Sequence, residues 1–201
     1  EIRRLNGIYE NMLGNAGVDI FDARATVVDP HTVEVDGKQV TAKYILVATG
    51  GWPVVPDIPG KEHAITSNEF FNMEKFPKRA IVVGGGYIAV ELTGVLHGLG
   101  VEVTQLYRGP HFLRGFDEDV RHHLADEMRI QKIDLRFNAN IARIEKDGDE
   151  LIADLEDGTQ MRTDVILYAT GRAPNSSGIG LEEAGVKLGK GGAVIVDEEF
   201  K

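Results

Sequence analysis

Residues 80–91 read AIVVGGGYIAVE, an apolar run that breaks into three consecutive glycines and resumes with the spacing of an amphipathic helix. Within it Gly84, Gly86 and Ala89 form G-x-G-x-x-A. Gly84 permits a tight turn, Gly86 lets a pyrophosphate approach the backbone, and Ala89 keeps helix and strand close. A helix starting near Tyr87 leaves its first N–H groups free, and these point at an anion together with the positive end of the helix dipole. Gly84, Gly85 and Gly86 are therefore candidate dinucleotide-binding residues. An NAD site places an acidic residue about 20 residues beyond the first glycine, where it binds the ribose hydroxyls. Here the run VEVTQL ends in Tyr107 and Arg108, with Arg114 in the same loop. Neither residue type accepts from ribose hydroxyls as a carboxylate does, whereas two guanidinium groups suit a 2′-phosphate, so the pattern favours NADPH. Tyr87 and Glu91, four apart, share a helix face. Glu91 either orients a cationic group or the carboxamide of a nicotinamide, or is simply an early-helix acid favoured by the dipole.

The remaining chemistry-bearing residues are weaker candidates. There is no cysteine, which removes disulfide scaffolds, thiolate zinc sites and cysteine nucleophiles for this chain, and no catalytic residue is assigned within it. The histidines at 31, 63, 97, 111, 122 and 123 lack metal-ligand spacing, His122 and His123 read as solvated, and no metal site is expected. Trp52 reads as a packing residue. A net charge of -10 argues against nucleic acid or an anionic membrane as a general partner, although a local arginine cluster can still hold one phosphate. No apolar run reaches the length of a membrane span and no signal peptide opens the sequence, so the expected compartment is the cytoplasm.

Positioning these residues needs a particular order of elements. EIRRLNGIYENMLGNAG carries Ile2, Leu5, Ile8 and Met12 near helical spacing and stops at Gly17. It lacks an initiator Met and reads as a helix entered partway, so the chain is expected to be a piece of a longer protein. ATVVD and TVEVDGKQV, with turns at Asp29-Pro30 and Asp36-Gly37, predict an antiparallel meander. Tyr44 to Ala48 predicts a strand buried on both faces, and the proline-rich residues 51–62 a crossing between domains. Thr66 to Glu69 is a capping-box pattern ahead of a short helix. From Ala80 strands and helices alternate, with a helix capped by Asp117, a hairpin-like stretch from Ile141 to Gln160 and a closing strand VILYA. Ile88, Leu92, Val95, Leu96 and Leu99 are expected to face the sheet. The fold class predicted is α/β, a Rossmann-like parallel sheet with an inserted antiparallel meander, plus part of a second similar sheet.

The second sheet is predicted by a repeat. Residues 36–50, DGKQVTAKYILVATG, and 157–171, DGTQMRTDVILYATG, share a polar Asp-Gly-x-Gln turn, a buried Ile-Leu core and a closing Ala-Thr-Gly. Two such units imply two nucleotide-binding sheets.

These motifs carry a resemblance. ATGGWP, ITSNEFF, VVGGGYIAVELTGVL, YRGPHFLRGFDEDV, YATGRAPN and AVIVDE, in this order, resemble the middle of the flavin-dependent pyridine nucleotide-disulfide oxidoreductases of the glutathione reductase type, over essentially the whole chain. The resemblance implies residues 1–50 as the end of an FAD-binding segment, 51–173 as an NADPH-binding domain and 174–201 as a return crossing toward the FAD and central domains. It implies NADPH at Gly84, Gly85 and Gly86 with Ile88 and Glu91 beside it, and a 2′-phosphate at Arg108 and Arg114. Tyr87 matches the tyrosine that covers the flavin until NADPH displaces it, and Glu91 a glutamate paired with a lysine outside this sequence. Gly171 and Arg172 match the second Ala-Thr-Gly-Arg, while Ala25, Thr49 and Gly50 match FAD-side positions. At Ala23, the family's usual glycine is replaced. The family's FAD fingerprint, redox cysteine pair and His-Glu pair have no counterpart here, so the chain alone is expected to be inactive. The intact protein would pass reducing equivalents from NADPH through FAD and a cysteine disulfide to glutathione disulfide, as a homodimer joined through a C-terminal domain. Trypanothione and dihydrolipoamide types, or a non-catalytic NADPH-binding module, stand as alternatives.

Overall fold

A computed structural model describes all of residues 1–201, which divide into two compact units, Glu1–Gly50 with Pro174–Lys201, and Gly51–Ala173. In the first unit, helix α1 (Ile2–Asn15) is closed by Gly17 at φ 74°, with the Val18 N–H donating to the Leu13 carbonyl at 3.1 Å. None of its residues is buried, so its apolar stripe stays exposed. Strands β1 (Ala25–Asp29), β2 (Thr32–Val35) and β3 (Lys38–Thr41) form the antiparallel meander in the order β1-β2-β3. Asp36 and Gly37 both take positive φ, 51° and 70°, the conformation a two-residue hairpin requires and the reason for Asp-Gly there. The return segment is fastened to this sheet where the Val27 N–H donates to Ile179 at 2.8 Å.

One expected element is missing. Tyr44 to Ala48 forms no strand, and Tyr44 and Leu46 are 78% and 89% exposed. A strand's N–H and C=O groups need a paired neighbour, and no other strand of the chain lies beside this run. The second copy of the repeat has such a neighbour and is buried.

The second unit opens with β4 (Gly51–Pro53), a single 3₁₀ turn (Lys61–His63) and α2 (Ser67–Phe70). The α2 capping box is complete: the Thr66 hydroxyl accepts from the Asn68 N–H at 3.2 Å and the Glu69 carboxylate accepts from the Thr66 N–H at 2.8 Å. Then follow β5 (Arg79–Val83), α3 (Tyr87–Gly98), β6 (Glu102–Tyr107), α4 (Glu118–Ile130), β7 (Asp134–Phe137), β8 (Ile141–Asp147), β9 (Glu150–Leu155), β10 (Gln160–Thr163), β11 (Val165–Tyr168) and β12 (Arg172–Pro174). As expected, Asp117 caps α4 by accepting from the Asp119 and Val120 N–H groups.

Strands β5, β6, β7 and β11 are parallel neighbours in the order β11-β5-β6-β7, with β8, β9 and β10 an antiparallel sheet inserted before β11. Numbered by sequence, that is the 3-2-1-4 order of a dinucleotide-binding sheet. β5 is apolar throughout because it is buried on both faces. Ala80 and Val82 pack with Ala89, Leu92 and Leu96 of α3, while Ile81 and Val83 pack with Ile144, Ala153 and Leu155 of the inserted sheet.

The buried stripe of α3 is Ala89, Leu92, Thr93 and Leu96, with Ile88 half-buried, whereas Val95 and Leu99 are exposed. The expected stripe is thus turned by about one residue. A Cβ on Gly84 would lie 3.1 Å from the Ala89 Cβ, so it is the third position of the glycine motif that faces the strand and sets the rotation.

Candidate nucleotide-binding site

The glycine turn leaves the carboxyl end of β5, where the sheet order reverses between β5 and β11. Gly84 has φ 151°, its N–H donates to Leu106 at 2.9 Å, and a side chain there would come within 2.9 Å of the Ala169 carbonyl carbon. Backbone on one side and Ala89 on the other exclude any Cβ. Gly86 is the opposite case: its φ is -89°, and an added Cβ would meet nothing within 4 Å. It begins α3 with no side-chain cap, so the first N–H groups of the helix, from Tyr87 on, have no side-chain acceptor. An uncapped helix end behind an unfilled glycine is the shape and polarity a pyrophosphate fits.

Buried Gln105 of β6 donates from Nε2 to the Gly84 carbonyl at 3.0 Å, holding the turn from beneath, while its Oε1 has no partner. The sequence signal for it was an amide directly before Leu106, where the alternation of VEVTQL places an inward position.

The loop from β6 to α4 is fastened to the same turn. The Leu113 N–H donates to the Gly85 carbonyl at 2.6 Å, and the half-buried Tyr107 ring lies against Gly85. This brings the loop carrying Arg108 and Arg114 to the glycine turn. Both arginines are exposed. Of the other arginines in residues 51–173, Arg79, Arg129, Arg136, Arg143 and Arg162 pair with carboxylates, and Arg121 and Arg172 donate to backbone carbonyls. Arg108 and Arg114 alone among them have neither an ion-pair nor a hydrogen-bond partner.

At the end of β11, the Ala169 N–H donates to Val83 at 2.8 Å, bringing Ala-Thr-Gly-Arg beside the glycine turn. The Thr170 hydroxyl donates to Val54 at 2.7 Å, Val54 donates back to Gly171 at 3.0 Å, and the Arg172 guanidinium donates to Gly51. Gly171 and Arg172 therefore lie beside the glycine turn, and one nitrogen of the Arg172 guanidinium is engaged by the Gly51 carbonyl. Tyr87, 58% exposed, and Glu91, also exposed, share the open face of α3. Trp52 is 60% exposed, a correction to its reading as a packing residue.

The fold assembles one group that residue spacing did not show. The His111 ring stacks on Phe137 with centroids 5.0 Å apart and meets the His122 ring at 4.4 Å. Burial, reinforced by the like charges of His122, Arg121 and Arg129, pushes the His111 pKa down. His122 is exposed, as expected, and its ring also meets that of His111. No group of three or more His, Asp or Glu is placed to hold a metal.

In the first unit, Ala25 opens β1, and Thr49 and Gly50 lie in the exposed stretch after β3. The return segment touches both regions: Arg24 donates to Gly178 at 3.2 Å, and the Asn175 N–H donates to Gly50 at 2.9 Å. Ala25, Thr49 and Gly50 are open to a ligand but by themselves build no enclosed site.

The profile of the family described as pyridine nucleotide-disulphide oxidoreductase matches residues 1–201. The chain belongs to that family. It is 44% identical over 198 residues to a glutathione reductase of Burkholderia cepacia, covering 98% of this chain and 44% of that protein. Against the chloroplastic/mitochondrial glutathione reductase of Pisum sativum it is 45% identical over 199 residues, 98% of this chain and 36% of that one. Among solved structures, the HOCl-induced flavoprotein disulfide reductase RclA from Escherichia coli superposes with a TM-score of 0.88 at 29% identity, over 98% of this chain and 48% of that chain. This pyridine nucleotide-disulphide oxidoreductase chain thus spans less than half the length of these relatives.

Proposed function

We propose that residues 51–173 bind NADPH and that the chain is the nucleotide-binding portion of a flavin-dependent disulfide reductase acting on glutathione disulfide. The observation carrying this reading is the pair of unengaged guanidinium groups, Arg108 and Arg114, fastened through their loop to a glycine turn that opens an uncapped helix. The α3 N–H groups and Gly86 hold the pyrophosphate, and the two arginines grip the 2′-phosphate with charge-assisted bonds. Gly171 closes the edge beside the turn. Tyr87 and Glu91, on the open face of α3, flank the nicotinamide end, with Tyr87 as a displaceable cover. Ala25, Thr49 and Gly50 contribute to the FAD surface. Nucleotide bound at the turn would supply a hydride, and the surface of Ala25, Thr49 and Gly50 would hold part of the FAD that accepts it for reduction of a disulfide. Glutathione disulfide as substrate rests on relatives at 44% and 45% identity that carry that name. A homodimer and a cytoplasmic location belong to the same reading; no helix is long and apolar enough to cross a membrane.

The test is a titration with both nucleotides. Replacing Arg108 and Arg114 together by Leu weakens NADPH binding by about 2 to 4 kcal/mol, from lost charge-assisted bonds, and leaves NADH nearly unchanged. Equal losses for the two nucleotides would remove the phosphate-reading role.

A further inference from the structure

We infer that Tyr107 is a positioning residue for NADPH preference: its ring, wedged between Gly85 and Gly109, fixes the loop of Arg108 and Arg114 against the glycine turn. Gly85 is glycine because that ring occupies the place of its side chain. The inference rests on the NADPH reading above and adds to it a residue whose role is to set distance.

The contacts are on opposite edges of one ring. A Cβ on Gly85 would sit 2.7 Å from the Tyr107 Cγ, with Cδ2 and Cε2 closer still. A Cβ on Gly109 would sit 2.7 Å from Cε1 and 3.0 Å from Cζ. The ring cannot swing away from one glycine without driving into the other, so it acts as a spacer of fixed thickness. The Gly85 contact cannot be explained by backbone strain, because its φ is not in the left-handed region, unlike that of Gly84.

The backbone around each arginine is fastened at both sides of this wedge. The Tyr107 carbonyl accepts from the Ala139 N–H at 3.1 Å and the Gly109 carbonyl accepts from the Asn138 N–H at 3.0 Å, which fixes the residues on either side of Arg108. Leu113, buried and at φ 54°, donates to the Gly85 carbonyl at 2.6 Å, which fixes the residue before Arg114. Two exposed guanidinium groups with long flexible stems thereby spring from backbone whose distance to the pyrophosphate turn is set at one residue, Gly85. Holding both phosphate groups of one ligand at once depends on that distance.

The experiment is a double-mutant cycle on the full chain, reading affinities for NADPH, NADH and 2′,5′-ADP together with the thermal midpoint. Tyr107→Phe keeps the wedge and keeps the NADPH preference. Gly85→Ala weakens NADPH and 2′,5′-ADP about tenfold while NADH changes by less than about threefold, the size of coupling expected for groups in direct contact. Gly85→Ala with Tyr107→Val binds NADPH no more weakly than Tyr107→Val alone, because the smaller side chain makes room for the new methyl. Should Gly85→Ala lower the thermal midpoint too far to titrate, Gly109→Ala presses on the ring from its other edge and gives the same selective loss. Additive costs in the cycle, or equal losses for NADPH and NADH in the single variants, overturn the inference. An unmodified chain that binds NADPH and NADH alike overturns instead the NADPH reading on which it stands.

Discussion

At the scale of single residues, the glycines of the turn are not equivalent. Gly84 is enclosed by the Ala169 backbone and Ala89 at a φ of 151°, whereas Gly86 opens onto empty space at φ -89°. Gly84→Ala is therefore expected to destabilise the fold by about 2 kcal/mol or more, from strain and overpacking together. Gly86→Ala is expected to leave the thermal midpoint nearly unchanged and to weaken nucleotide binding, since the methyl stands where a phosphate would. Thermal unfolding and a nucleotide titration on the two variants separate these roles; a large loss of stability in Gly86→Ala would remove the open-cradle assignment. Arg172, beside the turn, donates from one guanidinium nitrogen to the Gly51 carbonyl.

At the scale of elements, the loop between β6 and α4 joins nucleotide recognition to a titratable cluster. Burial, with the charges of His122, Arg121 and Arg129 behind it, lowers the pKa of His111, whose ring stacks on Phe137. A histidine whose folded pKa lies below its unfolded value near 6.5 contributes stability that is full above the unfolded value. That stability is lost as pH falls from there toward the folded pKa. His111→Phe, which keeps the stacking, should flatten the decline of the thermal midpoint between about pH 7 and pH 5. An unchanged slope would show that His111 is not its source. The cluster illustrates what residue spacing conceals, since His111 and His122 are brought together only by the turn into α4. The glycine motif, the Thr66 and Asp117 caps, the Asp36-Gly37 hairpin and the alternation of strands and helices were legible because each is decided by local backbone chemistry. The state of Tyr44–Ala48 was not, because an apolar run becomes a strand only where another strand lies beside it. The one-residue rotation of α3 was hidden for a similar reason: Val95 and Leu99 have apolar spacing, but Ala89 has the partner.

At the scale of the whole molecule, residues 51–173 are tied together at the end of β5 away from the glycine turn. Arg79 of β5 donates to Asp164 at 2.7 Å and Glu150 at 2.5 Å, and Arg162 of β10 donates to Asp147 and Glu150. Burial alone would raise the Asp164 pKa, but bonds from the Arg79 side chain and from the Lys78 and Arg79 N–H groups bring it below the usual value. The Arg79 side chain, and after it Arg162, lowers that of Glu150. Carboxylates with depressed folded pKa values contribute stability above their unfolded pKa and lose it as pH falls through the folded one. Arg79→Met is thus expected to lower the thermal midpoint most near neutral pH, with the difference from the unmodified chain shrinking below about pH 4. A difference independent of pH would attribute the loss to packing of the Arg79 stem.

The pairing of β4 with β12 gives this unit a further property. Gly51 and Arg172 are hydrogen-bonded neighbours, and Val54 and Gly171 clasp again one step inward, so the unit's entry and exit lie side by side. A segment whose ends already touch can be lifted from one host chain and grafted into another at a single surface point, without stretching its own sheet. Residues 51–173 are, in that sense, a portable cassette whose carrying handle is the Gly51–Arg172 clasp.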